Sequence, residues 1–453
     1  MKILSVLLLL LGNLLTTKAQ NDSLFIRKIY DEALENGQSY QNLKTLCKSI
    51  GHRISGSKQA EDAIRFSKHL LNNYDLDTVY LQEVKVQKWI RGKKEFAQAE
   101  NEKGEKLTLN VLALGGSSAT QGILITEILK VQNIDELKKL DPKEIKGKTV
   151  FFNESFDEKY FNTFDAYSHC YPLRGDGPNE AAKMGASAVL VRSLTNNTNN
   201  IVHTGVTSFD PEIKTIPCAA ISTQHANDLI EWITNGKIKL HLEMNCQTLP
   251  DVLSYNVIGE IRGIDNKIIT MGAHLDSWDV GEGAHDNGAG VMHCIEAIRI
   301  LKKLNFKPQH TIRCVLFMNE ENGNMGGETY AKQSFEKNET HLMAIESDRG
   351  GFLPMGFDVM GTDSQLNTIK QFSSQLNSYD LFKIQKGFSG VDIMPLVKYY
   401  PEMMQLGLFI NSQAYFDYHH SYADVFETVN KRELELGTAA MATIIYLMDK
   451  TLK

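Results

Sequence analysis

The sequence predicts an α/β protein, a mixed sheet flanked by helices on both faces, interrupted by an inserted β-rich stretch. Three features carry that prediction. From Ser254 onward, apolar runs of strand length alternate with helical stretches. Between Gly122 and about Thr248 the runs shorten and the loops turn polar, as in Asn196–Asn200. Finally, four of the apolar runs end in histidine or carboxylate residues. Alternation of this kind is what helices packed on a sheet produce.

Composition sets the outer bounds. A chain of 453 residues exceeds one ordinary core, so two domains, or one large domain with an insertion, is the starting expectation. With 42% hydrophobic and 23% charged residues the chain is globular, and a net charge of -7 gives no electrostatic reason for nucleic acid or an anionic membrane as partner.

Taken in order, residues 1–19 read as a secretory signal: Lys2, an apolar run from Ile3 to Leu15, and cleavage after Ala19. The run is too short to span a bilayer, and no cysteine follows it to carry a lipid. Ser23–Glu35 and Tyr40–Ile50 read as helices, and Ser57 is an N-cap for a third reaching Tyr74. Strands are expected at Thr78–Gln87 and Leu107–Leu114, before the break Gly115-Gly116-Ser117-Ser118. Short strands at Ile123–Ile128, Lys148–Phe152 and Ala188–Arg192 mark the insertion, placed at residues 117–250. The main domain is then discontinuous, residues 20–116 and 251–453, with strands ending at Gly259, Met271 and Met318 and a helix at Ala289–Leu304.

The six cysteines, at 47, 170, 218, 246, 294 and 314, are widely spaced with no CxxC, so neither a disulfide framework nor a thiolate zinc site is indicated. Cys294 falls at core spacing on a helix and Cys314 lies within a strand, which reads as burial.

The strand ends carry the chemistry. In open α/β sheets the ligand site lies beyond the carboxyl ends of the strands. His274 and Asp276 stand at one such end, Glu320 and Glu321 at a second, and Asp348 follows a third run, Met343–Ile345. A fourth run, Leu406–Ile410, precedes a loop with His419, His420 and Asp424. Singly each is weak, since HxD and Glu-Glu pairs are common on solvated ends. Together they deliver imidazole and carboxylate to one sheet edge, the ligand mixture that suits zinc and its neighbours rather than calcium or magnesium.

The segments HRISGSK (His52–Lys58), EAAKMGASAVLVR (Glu180–Arg192) with Arg174, HLDSWDVGEGAHDNGAG (His274–Gly290), MNEENG, ESDRGG, GVDIMPL and YFDYHHSYAD together resemble the co-catalytic zinc aminopeptidase superfamily. The likeness is strongest to its branch of secreted peptidases with a protease-associated domain inserted in the catalytic domain. It implies two Zn2+ ions, one held by His274 and Asp348 and the other by Glu321 and His420, with Asp286 bridging. His420 is preferred to His419 because the family spaces its ligand four residues before an aspartate, here Asp424. Glu320 matches the general acid/base, and Asp276 the carboxylate that orients the histidine two residues before it. His419 is a candidate donor to the tetrahedral oxyanion. Asn287 departs from the family, which often has a second aspartate after the bridging one; the expected effect is on local hydrogen bonding rather than metal count.

The resemblance implies an exopeptidase acting on dipeptides or short peptides with free termini, by a metal-bridged hydroxide with a glutamate general base. It also implies a homodimer. A glutaminyl cyclase on the same architecture would use one zinc, and a non-catalytic binding ectodomain would be expected to have lost ligands. His293 reads as a packing histidine, and Asp392 either approaches a substrate amine or caps a turn.

Overall fold

A computed structural model describes residues 20–453, and the expected signal, residues 1–19, lies outside them. Among the described residues, sixteen strands form two eight-stranded sheets. In chain order they are β1 (Thr78–Ile90), β2 (Phe96–Asn101), β3 (Lys106–Thr108), β4 (Val111–Ala113), β5 (Leu124–Val131), β6 (Thr149–Phe152), β7 (Ala188–Arg192) and β8 (Cys218–Ile221). They continue as β9 (Ile238–Glu243), β10 (Gln247–Ile261), β11 (Lys267–His274), β12 (Thr311–Phe317), β13 (Thr340–Glu346), β14 (Pro354–Met360), β15 (Lys383–Lys386) and β16 (Met404–Ile410).

The first sheet has the order β1-β10-β12-β11-β13-β16-β14-β15. Its centre, β12-β11-β13-β16, is parallel, while β1, β10 and β14 join antiparallel, so the sheet is mixed. The pleat of β12 shows how both faces are covered. Ile312, Cys314 and Leu316 enter the larger core, with the helices Ala289–Lys303 and Lys431–Asp449. Val315 and Phe317 point the other way, onto Tyr330 and Ala331 of the helix Met325–Glu336. The helix Ala289–Lys303 is buried from Ala289 to Leu301, which is why apolar residues surround it rather than marking a single face. Ser57 Oγ accepts the Ala60 N–H at 3.0 Å and starts the helix Lys58–Asn73.

The second sheet, β3-β2-β9-β5-β6-β7-β8-β4, reaches further back than the expected boundary at Ser117. The stretch expected as one strand, Leu107–Leu114, breaks into β3 and β4, and both belong here. The insertion also carries more helix than expected, including Thr163–Gly175, Gly177–Lys183 and Thr223–Thr234. For the first two the reason is topological: they connect β6 to β7, and parallel neighbours need a crossover connection. Pro172 and Gly175 hide one of these helices from a propensity reading. The chain passes between the sheets through the β1/β10 ribbon, where Ile90 pairs with Gln247. Trp278, Tyr415 and Phe416, from loops at the end of the first sheet, are buried in the core of the second, so the two layers share packing beside those loops.

All six cysteines are buried, with free thiols. Among the described residues no helix is long and apolar enough to cross a membrane.

The helix Ser39–Thr45 has no side-chain cap of its own; two buried carboxylates from other helices meet its first N–H groups instead. Glu296 accepts from the Gln38 N–H at 2.9 Å and Glu435 from the Tyr40 N–H at 3.3 Å. Burial, then the charge of Glu296, raises the Glu435 pKa from 4.5 to about 7. The folded protein thus holds a proton at Glu435 that the unfolded chain has released, and stability falls as pH rises from about 4.5 through about 7. Glu435→Gln should therefore raise stability at pH 8 by roughly 1–3 kcal/mol and flatten the decline between pH 5 and 8. Urea unfolding at several pH values measures it, and a variant less stable than wild type at pH 8 would refute the assignment.

Candidate metal centre

Three parallel strands end side by side and deliver the site. β11 ends in His274, β12 is followed by Glu320 and Glu321, and β13 by Asp348. The loop after β16 brings His419 and His420, and the turn before the helix Ala289–Lys303 brings Asp286. The five expected ligands meet at Asp286. His274 Nε2 is 3.2 Å from Asp286 Oδ1 and 3.2 Å from Asp348 Oδ1. On the other side, His420 Nε2 is 3.1 Å from Asp286 Oδ2 and 3.0 Å from Glu321 Oε2. The two oxygens of one carboxylate thus face two separate histidine–carboxylate pairs.

The electrostatics fit bound cationic charge. Burial works against a proton on His274, but the charges of Asp348, Asp286 and Glu320 outweigh it and hold its pKa well above the usual value. Burial and the neighbouring carboxylates push Glu320 well above the usual carboxylate range and Glu321 up to about 7. Such a cluster carries more buried negative charge than its two histidines can offset, and Asp286 Oδ2 and Glu321 Oε1 lack hydrogen-bond partners. The ligand atoms of His274, Asp286 and Asp348 lie within 4.8 Å of one another, as do those of Asp286, His419 and His420. Imidazole and carboxylate donors at this spacing suit zinc.

Asp276 acts on the site through both its main chain and its carboxylate. The acceptor nearest His274 Nδ1 is the Asp276 main-chain oxygen, at 3.1 Å, with the carboxylate at 3.8 Å. The carboxylate instead gathers the N–H groups of Asn319, Glu320 and Glu321 at 2.8, 3.1 and 3.3 Å. It fixes the turn that presents both glutamates. Asp424 acts similarly on the other side, accepting from the His285 and Asp286 N–H groups at 2.7 and 3.0 Å.

The motif His52–Lys58 acquires a role as well. Arg53, fully buried, donates to the carbonyls of Leu275, Glu282 and Gly283 and so holds the loop between His274 and Asp286. Ser55 Oγ donates to Asn322 Oδ1 and accepts from the Asn319 amide. Asn287 explains its own departure: its amide donates to the Ser347 carbonyl at 2.9 Å while its oxygen accepts from the Gly290 N–H at 3.1 Å. A carboxylate could make only the second bond.

Other candidates separate cleanly. His419 stacks on His420 with ring centroids 3.5 Å apart; its Nε2 is 3.8 Å from Asp286 Oδ2 and its Nδ1 has no partner. His293 is buried against Ser347 Oγ at 2.9 Å. Asp392 is fully buried, with neither carboxylate oxygen hydrogen-bonded, so it caps no turn; Glu346, which the sequence reading passed over, accepts from the N–H groups of Val391 and Ile393.

The site opens into a cavity of about 600 Å³. Asp286, Glu320, Glu321, Asp348, His419 and His420 line its floor. Phe164, Tyr167, Tyr171 and Arg174, from the helix Thr163–Gly175 of the second sheet, form one wall, and Phe388, Ser389 and Gly390 the other. The role of Arg174 in that wall was not assigned from sequence, because it depends on contacts between the two sheets.

The family model for Peptidase family M28 matches residues 256–445, the stretch that contributes all these strand ends. A crystal structure of a peptidase M28 precursor from Shewanella amazonensis aligns over 95% of this chain and 97% of that one, with a TM-score of 0.89 and 28% identity. The chain belongs to peptidase family M28, the co-catalytic zinc aminopeptidase superfamily, and is a zinc metallopeptidase. Its similarity over nearly the full length is to carboxypeptidase Q. The Xenopus laevis protein of that name is 33% identical over 422 residues, 91% of this chain and 86% of the relative. The Homo sapiens protein is 31% identical over 424 residues, 93% and 86%. A zinc aminopeptidase from Bacillus subtilis, 18% identical with a TM-score of 0.64, shares the fold.

Asn287→Asp should destabilise the metal-free protein by about 1–3 kcal/mol, since it sets a buried carboxylate against the Ser347 carbonyl. Urea unfolding in the presence of a chelator reads this directly. An unchanged midpoint would mean that the amide contributes nothing.

Proposed function

We propose that this metallopeptidase is a dizinc exopeptidase that hydrolyses dipeptides or short peptides with free termini, after export directed by residues 1–19. The observation that carries the reading is the Asp286 carboxylate facing two histidine–carboxylate pairs, with distances of 3.0 to 3.2 Å on each side. His274 and Asp348 would hold one zinc, Glu321 and His420 the other, with Asp286 shared between them. When bound, the pair supplies Lewis-acid polarisation of the scissile carbonyl and lowers the pKa of water.

The chain's own residues do the rest. Glu320 lines the cavity but belongs to neither pair, so it is free to accept a proton from the attacking water and return it to the leaving amine. His419, beside the shared carboxylate, is the proposed donor to the oxyanion. Residues 117–250 are proposed as a protease-associated domain. Its helix Thr163–Gly175 walls the cavity and limits how much of a peptide fits, which favours short substrates.

Glu320→Gln and Glu321→Gln separate the roles. Glu320→Gln should keep two zinc equivalents and a near-normal KM while kcat falls by about 10²- to 10⁴-fold. Glu321→Gln should lose metal from one site, and activity with it. Metal analysis combined with a dipeptide panel tests both variants. If Glu320→Gln sheds metal or keeps its kcat, the division of labour is wrong. Wild-type protein that binds one zinc at saturation would favour a cyclase instead.

A further inference from the structure

The second sheet does more than wall the cavity. Between β7 and β8 the chain returns to the metal centre at His203–Thr204, both buried. The Thr204 N–H donates to the His420 main-chain oxygen at 2.9 Å, and His203 Nδ1 to the His419 main-chain oxygen at 2.7 Å. The Thr204 carbonyl lies 3.2 Å from His420 Nδ1. A carbonyl only accepts, so His420 Nδ1 carries a proton, and in the neutral ring it is Nε2, on the side of Asp286 and Glu321, that is left to bind a metal. Arg174 Nη1 donates to the same carbonyl at 3.1 Å, which is why it stands 3.4 Å from His420 Nδ1: two donors share one acceptor. Gly205 leaves the room for this, since a Cβ there would come within 2.3 Å of Arg174 Cζ.

The two metal-facing histidines are therefore braced differently. His274 Nδ1 is satisfied within its own loop by the Asp276 main-chain oxygen, at 3.1 Å. His420 has a φ of 57°, a conformation that costs a residue with a Cβ, and the acceptor for its Nδ1–H comes from the inserted segment.

We infer that His203, Thr204 and Arg174 form a positioning clasp that fixes the tautomer and ring orientation of His420, making metal affinity at the Glu321/His420 pair, and not at the His274/Asp348 pair, depend on the inserted segment. The inference rests on the dizinc reading proposed above. Loss of an outer partner of a metal-binding imidazole weakens metal affinity by about 10- to 100-fold.

The test is a zinc titration of the mature chain against a competing chelator, paired with 113Cd NMR of the cadmium-loaded protein. His203→Ala should weaken the second zinc about 10- to 100-fold, leave the first unchanged, and move one of two cadmium resonances. His203→Asn, whose amide can stand where the Nδ1–H stood, should restore both. Arg174→Gln should weaken the same site, and it decides the matter if His203→Ala does not fold. Equal weakening of both sites, no weakening, or no rescue by His203→Asn would overturn the clasp alone. A wild-type chain that takes up a single zinc would overturn the dizinc reading and the clasp with it.

Discussion

Four carboxylates, from Asp286, Glu320, Glu321 and Asp348, crowd around two histidines at one end of a cavity, and the rest of the architecture answers that concentration of charge. The two imidazoles cannot neutralise them all, so the site favours bound cationic charge of the kind zinc supplies. The parallel centre of the first sheet is what makes the arrangement feasible. Neighbouring parallel strands end at one edge, and each contributes its next residues to the same small volume.

Holding such groups in place takes a scaffold, and the scaffold is largely main chain. Asp276 and Asp424 spend their carboxylates on backbone N–H groups of the ligand loops, and Arg53 spends its guanidinium on backbone carbonyls. The charged residues that flank the site thus set loop shape, leaving the clustered His, Asp and Glu side chains with few competing bonds. The shared packing of Trp278, Tyr415 and Phe416 in the second core extends the same logic, because the loops cannot shift without disturbing both layers.

Much of this was legible in the sequence. Apolar runs ending in His274, Glu321, Asp348 and the His419–His420 loop were recognisable because a buried parallel strand is a continuous hydrophobic run and its end is abrupt. Ser57 announced its helix through local capping chemistry. The second sheet was harder. β3 and β4 have three residues each, too few to show a period, and the helix Thr163–Gly175 contains a proline. Contacts from Thr204 to His420 span 216 positions and run partly through the backbone, so no residue type announces them. Asp276 illustrates a third limit: its position beside His274 was plain, but which of its oxygens would face the ring depends on the turn after β12.

The β1/β10 ribbon has a consequence for how the molecule assembles. Ile90 and Gln247 are partners in space but are separated by the whole second sheet in sequence. Pairing them in an unfolded chain would require closing a long loop, at an entropic cost that grows with the logarithm of its length. Once the intervening residues have folded into their own sheet, their ends already lie together, and the loop is in effect a few residues long. Prior folding of the second sheet would therefore lower the entropic cost of closing the ribbon toward Thr78 and Glu260.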